Sequence, residues 1–162
     1  MLSTASIKDL KSELETRSQK ELITFCLTLS KFKKENKELL SYILFESENE
    51  ALYTGKIKSE MDEQFAMLSA EKNIYFTKKS LRKILRTVKR YSRYTSSDAV
   101  TAELLSHCCR KLKESGIPYR KSPVLEKMYN NQIIKIKSLV SGLHEDIQYD
   151  YKVELEEIGV EF

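Results

Sequence analysis

The chain lacks tryptophan and has four glycines, two prolines, three cysteines and two histidines among 162 residues. With so few residues that break or bend a backbone, long helices are favoured over short strands and tight turns. Twenty leucines against six valines point the same way. No stretch approaches the roughly 18 consecutive apolar residues that a membrane-spanning helix needs. The first ten residues do not read as a charged start followed by an apolar leader, so a cytoplasmic protein is expected. Cys26, Cys108 and Cys109 form an odd set, and the neighbouring pair diverges by about 100° on a helix, which reads as reduced thiols in a cytosolic core. His107 and His144 lie outside any nucleophile motif, and GxSxG, Walker A and HExxH patterns are missing. No catalytic residue, cofactor site or metal ligand is nominated.

What remains is a globular composition with a heavily charged surface, 41% hydrophobic and 32% charged, at a length that fits one domain. The periodicity predicts an all-α fold of six to eight helices packed mainly as antiparallel hairpins, in an irregular bundle or a short helical-repeat array. A short N-terminal helix follows Ser6, with Ile7, Leu10 and Leu14 in phase. Ser18 and Glu21 have the spacing of a capping box, after which Leu22, Phe25, Cys26, Leu29 and Phe32 share a face. Asn36 is the expected cap of a third helix carrying Leu39, Leu40, Ile43 and Leu44, with residues 33–35 as the hinge. A fourth helix over about 48–69 aligns Ile57, Met61, Phe65 and Leu68, and Gly55 inside it marks a bend or a close helix crossing. A fifth spans about 77–94 and a sixth 98–114, ending at Gly116 with Pro118 beyond. Ser122 and Pro123 open a seventh, along which Leu125, Met128, Tyr129, Gln132, Ile136, Leu139, Val140 and Leu143 line one side. The resemblance between residues 21–26 and 103–108 does not extend further and reads as chance.

The segment 78–93 holds eight cationic residues and no acidic one. At about 100° per residue all eight fall within an arc of roughly 140°, opposite Leu81, Ile84, Leu85, Val88 and Tyr91. Like charges at i, i+4, as in Lys78, Arg82, Arg86 and Arg90, cost a few tenths of a kcal/mol per pair, so an offsetting anion is expected. Tyr91, Tyr94 and Tyr119, with Arg120 and Lys121, add the stacking and basic character that single-stranded nucleic acid uses. The competing reading is a solvated face. A membrane-surface role fits less well, because the apolar side carries neither Trp nor Phe.

His107, Cys108 and Cys109, one turn beyond Glu103, suggest a metal, but adjacent helical residues point in different directions and zinc needs about four converging ligands. A buried cysteine pair beside a surface histidine is the expected arrangement. Residues 145–162 hold seven acidic residues against Lys152 alone, a formal charge of −6 that leaves +10 on the rest of a +4 chain. The division expected is therefore a helical domain with a basic face, 1–144, and an acidic segment, 145–162. That segment is expected to be helical, anchored by Ile147, Tyr151, Leu155 and Ile158, and to lie against the basic stripe.

The functional expectation is a non-enzymatic helical binding module that engages nucleic acid or an acidic protein through Lys78, Arg82, Arg86, Lys89, Arg90 and Arg93. The alternatives are a helical protein–protein scaffold with no nucleic-acid role and a metal-free helical enzyme whose site has no local motif.

Overall fold

A computed structural model describes residues 3–69 and 73–161, and among them the chain forms eight α-helices and one 3-10 turn, with no strand. The helices are α1 (Ile7–Glu15), α2 (Gln19–Phe32), α3 (Lys34–Phe45), α4 (Glu50–Ser69), α5 (Ile74–Thr95), α6 (Asp98–Glu114), α7 (Pro123–Val140) and α8 (Glu145–Glu157), with the 3-10 turn at Tyr119–Lys121. The protein is all-α, and α2 packs on α3, α4 on α5, α5 on α6, α6 on α7 and α7 on α8.

The helix starts are set by short polar side chains. Ser6 with Asp9 and Ser18 with Glu21 each form a complete capping box: the serine hydroxyl accepts from the N3 amide and the carboxylate accepts from the serine amide. Asn36 does not cap α3, which starts at Lys34 after a single extended residue, Lys33. The Asn36 side-chain amide instead donates to the Leu29 carbonyl at 2.8 Å, near the end of α2. A one-residue link leaves no room for a hinge over 33–35, and it brings the Asn36 amide within reach of that carbonyl. Helix α5 begins three residues before its expected start, because the Asn73 side chain accepts from the Tyr75 amide. At the other end Ser96 closes α5 in the left-handed region (φ 52°), while the Ser97 hydroxyl caps α6. Gly116, at φ 71°, supplies the left-handed residue after α6 that any side chain would strain.

The chain divides into two compact units, Met1–Glu46 and Ser47–Phe162. In the first, α2 packs on α3, yet Tyr42 is the only buried side chain among its described residues. Ile7, Leu10, Leu14, Phe25, Leu29, Phe32, Leu39, Ile43 and Leu44 are all exposed, so the faces read from the periodicity exist but are not covered.

The second unit has a true core. Helix α6 packs against α4, α5 and most extensively α7. Tyr53, Ile57, Met61, Phe65 and Leu68 of α4, Leu81, Ile84 and Val88 of α5, and Leu125, Tyr129, Ile133, Ile136 and Val140 of α7 are buried. Ile133 joins the expected α7 face, whereas Met128, Gln132, Leu139 and Leu143 are half-buried at its margin. Helix α8, distinguished by its charge, belongs to this unit and buries Tyr151 and Leu155, with Ile158 just beyond its end. Ile147 stays exposed.

Gly55 marks no close crossing: a Cβ built there meets nothing within 4 Å. An exposed mid-helix glycine costs about 1 kcal/mol relative to alanine through backbone entropy. Gly55→Ala is therefore expected to raise unfolding stability by about 0.5–1 kcal/mol in urea titrations; a loss of stability would show that the position needs its glycine.

Candidate nucleic-acid interface

The direction of α5's basic side follows from what its other side buries. Thr77, Leu81, Ile84, Thr87, Val88 and Ser92 are buried, and these positions lie opposite the cations on a helical projection. Of the six nominated residues, Arg82, Arg86, Lys89 and Arg93 are exposed, while Lys78, at one edge of the arc, and Arg90, toward the other, are half-buried. Lys79 and Lys83, not nominated from the sequence, are exposed as well. Arg90 lies over the Tyr91 ring, its guanidinium carbon 4.8 Å from the centroid, which turns it toward the protein. The six exposed cations span about 21 Å of rigid helix. Lys79, Arg82, Lys83, Arg86, Lys89 and Arg93 make no ion pair with any described residue.

The aromatic residues are arranged differently from the sequence expectation. Tyr119 is buried and packs on Tyr129 with ring centroids 4.9 Å apart, so it offers no face to a base. Tyr91 is half-buried between Tyr53 (6.2 Å) and Tyr94 (6.0 Å) in edge-to-face contacts, and its hydroxyl donates to Glu60 at 3.4 Å. On α5 itself the outward-facing aromatics are Tyr75 and Phe76 in its first turn, 67% and 48% exposed. Tyr75 precedes Arg82 by seven residues and so shares its side of the helix. Both fell before the expected start of the helix; the available signal was Asn73, a cap residue just ahead of them.

The acidic segment does not neutralise this side. Glu154 and Glu157 pair with Arg110 of α6, both at 3.3 Å, and the Tyr151 hydroxyl donates to the Ala99 carbonyl at 3.1 Å. The Lys113 ammonium donates to the Ile158 carbonyl. Among the described residues no ion pair joins α8 to α5. The expectation that residues 145–162 lie against the stripe is thus replaced by polar bonds to α6 and packing of α8 on α7, with Tyr151, Leu155 and Ile158 buried.

Helix α6 carries a second electrostatic row at i, i+4 spacing. Glu103 pairs with Lys58 at 2.6 Å, His107 with Asp62 at 2.7 Å, and Lys111 with Asp62 at 3.3 Å. The row fastens α4 to α6. His107, expected at the surface, is therefore engaged with Asp62 and largely covered. Burial pushes the Asp62 carboxyl up, but the hydrogen bonds and charges of His107 and Lys111 outweigh it and hold the group below its ordinary value. Cys108 and Cys109 are buried, and loss of solvent pushes the Cys108 thiol up to about 12 and that of Cys109 well above the usual value. Among the described residues no group of three or more His, Cys, Asp or Glu side chains converges as a metal site would. No helix among them is long and apolar enough to cross a membrane. Compared with known proteins, the chain matches no family model, no curated protein and no solved structure.

Two outcomes follow. A depressed folded-state carboxyl contributes stability above the unfolded value of about 3.9 and loses it as pH falls through the folded one. Asp62 is 42% exposed, so screening keeps its contribution under about 1 kcal/mol. Urea titrations of wild type and Asp62→Asn should differ by that amount at pH 5 and converge as the pH drops below about 4; a gap that persists would refute the pairing. In thiol titration of the native chain at pH 8, exposed Cys26 should react and the buried pair should wait for denaturant. Rapid reaction of all three would contradict their placement.

Proposed function

We propose that the chain is a non-enzymatic binding module that engages the phosphates of nucleic acid with the exposed cations of α5. The observation that supports the reading most is the row Lys79, Arg82, Lys83, Arg86, Lys89 and Arg93, solvent-facing on one rigid helix with no ion-pair partner among the described residues. The contrast with α6 strengthens it. There Arg110 and Lys111 each meet a carboxylate, whereas the six exposed cations of α5 meet none among the described residues.

The charge density also suits a polyanion. Eight cations over about 22 Å of α5 give one per roughly 3 Å, near the 3.4 Å axial spacing of phosphates along one strand of a duplex. A sequence-independent contact is expected, since phosphates carry affinity while base edges carry sequence.

The other reading, a helical protein–protein scaffold, draws on the exposed apolar rows of α1, α2 and α3. The two separate by which substitutions matter, α5 cations or the apolar residues of 7–45.

Filter binding to random-sequence DNA and RNA at 50 and 200 mM salt tests the reading. Some five phosphate contacts on a single strand predict a slope of log affinity against log salt near −3.5, at about −0.7 per contact. Reversing Arg82, Arg86 and Lys89 to Glu, all at exposed positions, should abolish detectable binding while leaving the helical signal intact. Absence of binding at 50 mM salt, or affinity unchanged by the triple reversal, would overturn it. Equal, charge-dependent binding of poly-glutamate would move the role to an acidic protein.

A further inference from the structure

Helices α4 and α5 enclose a surface groove of about 230 Å³, bordered by Gln64 and Met67 on one side and by Phe76, Ser80 and Lys83 on the other. Leu68 and Ile84, 2% and 1% exposed, form its floor. Phe76, Ser80 and Lys83 follow one another at i, i+4, i+7 and therefore line one edge of α5. Lys83 belongs to that edge and to the basic arc at once, so the groove opens directly beside the cations. Met67 is 77% exposed and Phe76 48%, leaving apolar surface uncovered at a place otherwise dominated by positive charge.

We infer that this groove receives one unstacked base of a single strand whose phosphates run along α5, and that the protein prefers single-stranded to duplex nucleic acid. The inference rests on the phosphate-binding reading above. Charge complementarity selects the occupant, because a ligand reaching the groove past Lys79, Lys83 and Arg82 is favoured if it is anionic. A purely apolar peptide gains nothing from those neighbours. The volume lies below the roughly 300–1,000 Å³ of pockets for drug-sized ligands, which suits one ring system.

The lining supplies what a base requires. The Phe76 ring and the Met67 thioether offer polarisable surfaces to its π-face. The Gln64 amide donates one hydrogen to Glu60 at 3.1 Å, which leaves its carbonyl oxygen to accept from a base edge, and the Ser80 hydroxyl can donate or accept. Lys83 remains for the adjoining phosphate. Tyr75, in edge-to-face contact with Phe76 at 5.6 Å, provides a second platform in line with Arg82. A duplex keeps its bases paired and stacked, so it can meet the cations but cannot fill the groove without the cost of extruding a nucleotide.

Fluorescence anisotropy of the full chain with a labelled 12-nucleotide mixed-sequence single strand and the 12-base-pair duplex, at one salt concentration, tests this. The single strand should bind at least tenfold more tightly. Phe76→Ala should weaken single-strand binding by about 5- to 100-fold, the range for loss of one base–aromatic stack, and leave duplex binding unchanged. Phe76→Trp should restore the preference, so that a general loss of folding is distinguished from loss of the platform. A 2-aminopurine placed within the strand should change its emission on binding to wild type and not to Phe76→Ala. Equal affinity for both forms, with the Arg82, Arg86 and Lys89 reversals still abolishing it, would overturn the groove and leave the phosphate reading intact. No binding of either form at 50 mM salt would overturn both.

Discussion

Helix α6 has too little polar surface to face water on any broad side. Between Val100 and Leu112 nine of thirteen residues are buried, including Thr101 and Ser106. A helix apolar on nearly all sides is stable only when surrounded, and α4, α5 and α7 do the surrounding. The few charged residues left on it fall between the neighbours and are tied there: Glu103, His107 and Lys111 toward α4, and Arg110 toward α8. These ion pairs are partly exposed and individually worth little. Their effect is on register, since carboxylates and cations must meet at set heights along the helices.

The same constraint decides where α5 points. Its narrow apolar side, built on Leu81, Ile84 and Val88, is committed to the core, so the arc of lysines and arginines has only the outward direction left. Because α8 packs on α7 and is tied to α6 by the Tyr151 hydroxyl and the Arg110 pairs, Glu154 and Glu157 are engaged there. Hydrophobic burial thus overrides long-range charge attraction: side chains such as Leu155 contribute on the order of 1.5–3 kcal/mol each on burial, against at most about 1 kcal/mol for an exposed ion pair. A chain with +10 on its first 144 residues and −6 on the remainder keeps the two charges on different helices for that reason.

The helices were largely legible in the sequence, because capping and period-3.6 patterns are local. Ser6, Ser18, Ser97, Gly116 and Pro123 each act at the position their chemistry implies. Asn36 was misread because a cap residue's chemistry is equally suited to an acceptor that the adjoining turn brings near, here the Leu29 carbonyl. Periodicity also states that a face is apolar without stating what covers it. The rows of α4 and α7 proved to be core, whereas those of α1, α2 and α3, equally regular in sequence, are exposed. The basic arc was visible from composition and spacing alone. Which cations stand free, the inward turn of Tyr119, and the outward Tyr75 and Phe76 all depend on packing between distant segments, and no local pattern encodes that.

Phosphate seated on the α5 cations would shield their lysines, and lysine reactivity reads that contact residue by residue. Limited acetylation of the native chain, alone and with a saturating oligonucleotide, followed by mass spectrometry, compares Lys79, Lys83 and Lys89 with the exposed Lys127 and Lys135 of α7. Selective protection of the three α5 lysines, with the α7 pair reacting at an unchanged rate, is the predicted result. Uniform protection across the chain, or protection confined to α7 or to residues 3–46, would contradict it.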